Sequence, residues 1–231
     1  MQYGEYILKI CGITSGANLE IIRRFPVTYF GVWYHTNGGT HELSLDQLKE
    51  LVGIDSGSAQ PCLVTLSDDV EHLADVLAQC RIRTVQLHGF VLPPKVSDLR
   101  VACRRRGFEV TIIKVLHVRN GRCFEKNLVT AYKLCGTDIF IIDSFAGRDA
   151  IGSTGQRVDA DAARLLAQHL YPTPALLAGG VDDTLIHRVG QHYAGFDIDS
   201  GARENGEISG EKISKLSQST APQRIEEYNV S

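Results

Sequence analysis

Segments rich in β-branched and aromatic residues alternate with amphipathic ones along the whole chain, and no other feature narrows the fold so far. The strand-like segments are 7–11, 29–34, 62–66, 84–88, 110–118, 138–142, 175–178 and 195–198. Helical spacing of apolar residues predicts helices over 18–24, 44–51, 95–106, 126–134, 159–170, 183–192 and 209–217, and one more behind Ser67. Ser44 and Ser67 read as N-caps. Arg104, Arg105, Arg106 and then Gly107 read as a solvated helix C-terminus. Strict alternation implies parallel strands joined by right-handed crossovers. Eight such units in 231 residues fit an α/β fold of one kind, a compact (β/α)8 TIM barrel. A doubly wound open sheet is the rival, but its Gly-x-Gly-x-x-Gly turn is missing after the first strand. No low-complexity linker divides the chain, so one barrel domain is expected over 1–216, followed by a polar tail over 217–231 that contains Pro222.

Composition narrows the partners. Twenty-four basic against 27 acidic residues give a formal charge of −3, which argues against nucleic acid as the main partner. Apolar runs are strand-sized, and the first residues carry neither a basic n-region nor a long apolar stretch, so neither a membrane span nor a signal peptide is expected. The six cysteines lie outside Cys-x-x-Cys pairs and read as free thiols of a reducing cytoplasm. No Cys/His spacing suits zinc.

In a barrel of this kind chemistry collects at the C-terminal ends of the strands. The polar residues closing successive strands are Cys11, Tyr34 or His35, Ser67, His88, His117, Asp143, the Gly179-Gly180 pair and the Ser200-Gly201 pair, with Asp197 inside the eighth strand. One rim would thus hold a thiol, a carboxylate and imidazoles. Glycine turns after the last strands, and the loop Gly152-Ser153-Thr154-Gly155, suit a phosphate, because backbone N–H groups can approach an anion there. Cys11 and Asp143 form a base–acid pair if their surroundings push their pKa values apart. Taken singly, a cysteine at a strand end is more often inert packing, and an aspartate there is often a structural loop acceptor. Gln86 alternates with Val85 and Leu87 and should point into the barrel, where it needs a partner.

Five motifs carry a family resemblance. Lys9-Ile10-Cys11-Gly12-Ile13-Thr14, Val85-Gln86-Leu87-His88-Gly89, Ile141-Ile142-Asp143-Ser144 with Gly152 to Gly155, Leu177-Ala178-Gly179-Gly180-Val181 and Phe196-Asp197-Ile198-Asp199-Ser200-Gly201 occur in that order. Together they resemble the phosphoribosylanthranilate isomerases of tryptophan biosynthesis. The resemblance implies a (β/α)8 barrel without metal or organic cofactor. It implies an Amadori rearrangement of N-(5′-phosphoribosyl)anthranilate, a phosphorylated aminosugar, to the 1-deoxyribulose 5-phosphate product. Asp143 would be the general acid and Cys11 the general base. Gly155, Gly179, Gly180, Ser200 and Gly201 would cradle the phosphate, Asp197 would orient the ribose, and His88 would belong to the substrate site. The family includes monomers and dimers, and a monomer is the default expectation here.

One departure stands out. The family usually carries an arginine after strand two that grips the anthranilate carboxylate, whereas this loop reads His35-Thr36-Asn37-Gly38-Gly39-Thr40-His41-Glu42. Arg203, Arg148 and His41 are the candidates to replace it. The alternatives are the same rearrangement on a different phosphorylated aminosugar, or a non-catalytic phosphate-binding relative.

Overall fold

The computed structural model describes residues 6–145 and 159–220. Eight parallel strands form the barrel: β1 Ile7–Ile10, β2 Tyr29–Trp33, β3 Gln60–Thr65, β4 Thr84–Leu87, β5 Thr111–Arg119, β6 Ile139–Ser144, β7 Ala175–Leu177 and β8 Gly195–Ile198. Each is hydrogen-bonded to its sequence neighbours, and the sheet closes where β1 pairs with β8, Lys9 opposite Asp197. This closure excludes the open doubly wound sheet. Helices α1 Gly16–Ile22, α2 Leu45–Val52, α3 Val70–Gln79, α4 Pro93–Arg105, α5 Val129–Leu134, α6 Ala160–Leu170, α7 Asp183–Val189 and α8 Gly210–Thr220 follow the strands in turn.

Local chemistry sets the helix ends. Ser44 and Gln47 form a reciprocal capping box at the start of α2. For α3 the cap is Asp69, whose carboxylate accepts from the His72 N–H at 3.1 Å. The expected cap Ser67 lies in the preceding turn and accepts from the Asp69 N–H instead. A carboxylate at that end also meets the positive pole of the helix, which favours Asp69 over the serine. The segment read as one helix over 126–134 opens with a 3-10 turn, Lys126–Leu128. Helix α8 continues through Thr220, past the expected start of the polar tail.

The arginine triplet is not merely solvated. Arg105 pairs with Glu71, Arg106 with Asp75 at 2.8 Å, and Arg104 with Glu109 at 2.8 Å, so two of the three tie α4 to α3. Exposed pairs of this kind add little stability, because water and salt screen them.

Strand alternation divides the core in two. Leu8, Ile10, Phe30, Val32, Leu63, Val85, Ile112, Phe140, Ile142, Phe196 and Ile198 pack outward beneath the helices. Cys62, Ile113, Val115, Ile139, Ile141, Leu176 and Ala178 fill the interior. The seam between β1 and β8 is tight: a Cβ on Gly195 would stand 1.9 Å from the Ile7 carbonyl oxygen. Gly195→Ala should therefore lower stability by about 1–3 kcal/mol, the usual cost of forcing backbone apart in a packed core. Urea unfolding checks this, and an unchanged midpoint would contradict the register described.

Candidate active site

The upper interior of the barrel is polar, in contrast to its apolar floor. Lys9 lies between Leu8 and Ile10 on β1, so alternation turns it inward, fully buried. Its Nζ donates to Asp197 Oδ1 at 2.7 Å and to Cys11 Sγ at 3.2 Å. Asp197 is the inward residue of β8. The two charges compensate each other where water cannot, because an unpaired ion in such a place costs several kcal/mol. Burial is the largest single influence and would lower the lysine pKa, but the Asp197 carboxylate together with Cys11 and Cys62 outweighs it, and the ammonium is held above its ordinary value.

Cys11 follows at the end of β1. Its sulfur accepts a second donor, Trp33 Nε1 at 3.2 Å, from the end of β2. Burial raises the thiol pKa to about 11. Lys9 and Trp33 favour the thiolate, whereas the Asp197 and Asp199 carboxylates oppose it. Sequence reasoning named Tyr34 or His35 as the residue closing β2. The residue that reaches the sulfur is Trp33, the chain's one tryptophan, and Lys9 was also missed as a site residue. A charged residue inside an otherwise apolar strand was the available signal for Lys9.

Asp143 ends β6, opposite His117 in the register. Burial raises its pKa to about 7, and the Asp197 carboxylate adds to the rise. The Ser144 N–H, donating to Asp143 Oδ1 at 2.7 Å, works the other way. His88 Nε2 lies 3.9 Å from Asp143 Oδ2. Burial, with His117 and Lys114 nearby, holds the His88 imidazole well below its ordinary pKa, so it is neutral at pH 7. Gln86 points inward as expected. Its Nε2 lies 3.3 Å from His88 Nδ1, and its Oε1 has no hydrogen-bond partner among the described residues. A buried carbonyl left in this way beside the mouth is open to a ligand donor.

On the far side of the seam, Gly179 and Gly180 have positive φ, +79° and +63°, and Ser200–Ala202 form a 3-10 turn directly after β8. Gly201 packs against the Val181 carbonyl, so the two late turns touch. Gly155 and Arg148 lie outside the described residues.

The other two candidates for an anionic contact are engaged with the protein itself. Arg203 donates to Asp199 Oδ1 at 2.8 Å, to the Gly12 carbonyl at 2.6 Å and to the Cys11 carbonyl at 3.3 Å. It clamps the loop after β1 to the loop after β8. His41 packs its ring edge-on to Trp33, with centroids 5.1 Å apart, and lies 3.8 Å from Asp199. Burial and the Arg203 charge lower its pKa, so it is a neutral imidazole at pH 7. All six cysteines are free thiols. Among the described residues no group of three His, Cys, Asp or Glu side chains is placed to hold a metal, and no helix is long and apolar enough to cross a membrane.

A closed parallel barrel with a buried carboxyl, a buried thiol and glycine turns on one rim defines the class: a (β/α)8 barrel with a polar, titratable pocket at its C-terminal mouth. The chain belongs to the N-(5′-phosphoribosyl)anthranilate isomerase family, whose sequence model matches residues 8–219. An N-(5′-phosphoribosyl)anthranilate isomerase of Staphylococcus aureus (strain bovine RF122 / ET3-1) is 26% identical over 212 residues, spanning 90% of this chain and 94% of the relative. The Thermus thermophilus phosphoribosyl anthranilate isomerase structure superposes with a TM-score of 0.74 at 20% identity, over 93% of this chain and 98% of that one. The Pyrococcus furiosus N-(5′-phosphoribosyl)anthranilate isomerase gives 0.73 at 18% identity, over 94% and 98%. A phosphoribosyl anthranilate isomerase solved with reduced 1-(o-carboxyphenylamino)-1-deoxyribulose 5-phosphate gives 0.70 at 16%, over 93% and 98%.

The raised pKa of Asp143 has a consequence for stability. In the unfolded chain the carboxyl ionises near 3.8, and in the folded protein near 7. Between those values the unfolded state gives up its proton first, so folded stability falls as pH rises from about 4 to about 7. Asp143→Asn removes this penalty. The variant should gain on the wild type between pH 4 and pH 8, with a ceiling of about 4 kcal/mol at 1.36 kcal/mol per pKa unit. Urea unfolding at both pH values measures it, and parallel pH dependence of the two proteins would contradict the burial of a neutral carboxyl.

Proposed function

We propose that this chain isomerises N-(5′-phosphoribosyl)anthranilate to the corresponding 1-deoxyribulose 5-phosphate, with Asp143 as general acid and Cys11 as general base. The observation that carries the reading is a carboxyl held half-protonated near pH 7 on the same rim as a sulfur that accepts two N–H donors. Family membership supplies the substrate class.

The steps balance without any co-reactant. The neutral Asp143 carboxyl gives its proton to the ribose ring oxygen. The C1′–O bond breaks, and the nitrogen lone pair forms the protonated Schiff base. The Cys11 thiolate takes the C2′ proton, and the released electron pair moves through C1′ to nitrogen, giving the enolamine. Protonation at C1′ and loss of the 2′-hydroxyl proton give the ketone. Lys9 and Trp33 stabilise the thiolate as it forms. Asp197, held by Lys9, orients the ribose, and His88 binds substrate beside the acid. Gly155, Gly179, Gly180, Ser200 and Gly201 hold the phosphate, which places C1′ and C2′ between acid and base. Arg203 is a positioning residue for the Cys11–Gly12 segment rather than a ligand for the aglycone carboxylate.

The two pKa values predict an unusual pH profile. Rate follows the fraction that holds both protonated Asp143 and thiolate Cys11. Below about pH 7 the acid is protonated and the thiolate fraction rises with pH. Between about 7 and 11 the gain in thiolate cancels the loss of acid. kcat/KM, which reports the free enzyme, should climb to about pH 7, stay level to about pH 11 and fall above it. A fall that sets in at about pH 8 or 9 would contradict the pairing. Turnover is followed by anthranilate-group fluorescence. Cys11→Ser and Asp143→Asn should each lose about two or more orders of magnitude in kcat, and near-normal rates in either variant would sink the assigned roles.

A further inference from the structure

Above Asp143 lies a second layer that the acid–base steps do not use. His117 ends the inward row of β5, directly opposite Asp143 in the register. Its imidazole is fixed from behind by the buried Glu125 carboxylate, which accepts from Nδ1 at 2.6 Å and from the His117 backbone N–H at 3.0 Å. Lys114, itself buried, lies 3.9 Å from that carboxylate. Two phenylalanines close over this ring and a third packs against both of them. Phe90 lies tilted over it with centroids 4.4 Å apart, and Phe145 meets its edge at 5.7 Å. Phe124 stands edge-on to both, at 6.2 Å from Phe90 and 5.0 Å from Phe145.

The backbone fixes two of these rings. The Phe124 N–H donates to the His117 carbonyl at 3.0 Å and the Phe145 N–H to the Val118 carbonyl at 2.9 Å. Even so, Phe90 keeps 47% and Phe124 56% of its surface exposed. Apolar ring surface left open at the mouth of a polar site is a binding feature rather than a packing one. Phe90 is two residues beyond His88 and Phe145 two beyond Asp143, so the rings are continuous with the proposed acid. Residues 35–42 contain no lysine or arginine, and Arg203 is occupied by protein oxygens. Neither place among the described residues offers a free cation for a carboxylate on the substrate's amine, but aromatic surface is available here.

We propose that the cluster of Phe90, Phe124 and Phe145 beside His117 is the seat for the aromatic ring of the substrate's amine. This rests on the isomerase reading above. Recognition then runs through ring stacking and apolar contact, which are indifferent to a carboxylate on the ring.

The test compares N-(5′-phosphoribosyl)anthranilate with N-(5′-phosphoribosyl)aniline, which lacks the carboxylate, on the wild type and on Phe90→Ala, Phe124→Ala and Phe90→Tyr. The expected results are kcat/KM values for the two compounds within about tenfold of each other, and a KM raised about tenfold in either alanine variant. In those variants kcat should fall less than KM rises, and Phe90→Tyr should retain the wild-type KM. Thermal unfolding accompanies each variant. An unchanged KM with a lowered Tm would assign the rings to packing and overturn the proposal. A preference above a hundredfold for the carboxylated compound would overturn it too, by pointing to an ionic contact. Wild type inactive on both compounds would instead overturn the isomerase reading, and the ring seat with it.

Discussion

A lysine ammonium in the middle of a protein is tolerable only if an opposite charge arrives with it. Lys9 and Asp197 are 188 residues apart in the chain and 2.7 Å apart in space. Their pairing fixes much of what surrounds them. It joins the first strand to the last, so the barrel closes around the pair. It presents one N–H of the ammonium to the Cys11 sulfur, and it places a negative charge within range of Asp143. Removing one partner would leave the other buried alone, a change that typically costs 3–5 kcal/mol. The pair is weak evidence for stability as such. Its value is that it sets the electrostatics of two neighbouring groups at once.

Those two groups show how one environment gives different results. Desolvation is the largest influence on both Cys11 and Asp143, and in each it favours the neutral form. For the carboxyl, the outcome is an acid near neutrality. For the thiol, desolvation is opposed by the Lys9 ammonium and the Trp33 N–H, so the neutral form is favoured while two donors stand ready for charge on the sulfur. Asp197 acts on both, which couples their protonation to a single fixed anion. One fixed anion thus displaces the acid and the base in the same direction, each toward its neutral form.

The sequence was most informative where periodicity and chemistry coincide. Alternation of two kinds of segment predicts eight strands, and the strand ends predict a rim bearing Cys11, His88 and Asp143. The inward turn of Gln86 follows from its neighbours alone. Side-chain contacts across strands were not legible. Trp33 reaches Cys11 from a strand whose last polar-looking residues are Tyr34 and His35, and only the register shows it. Arg203, in one dimension, is a free cation beside a substrate loop; in three it is consumed by Asp199 and two carbonyls. Asp69 displaced Ser67 as a cap because a carboxylate meets the helix pole better than a hydroxyl does, a preference that a two-residue offset hides. The phenylalanine layer joins residues from the ends of three strands and has no sequence period to betray it.

The seam between β1 and β8 has a meaning for how the molecule comes into being. Chain synthesis delivers Lys9 and Cys11 near the start and Asp197, Asp199 and Arg203 near the end. Until the last strand is made, Lys9 has no counter-ion and the Cys11–Gly12 carbonyls have no clamp. A nascent chain can therefore collapse its apolar strands early, but it cannot seal an uncompensated ammonium into them. The thiol's surroundings are completed by the same event that closes the barrel. The same late residues therefore complete the chemical centre and close the barrel.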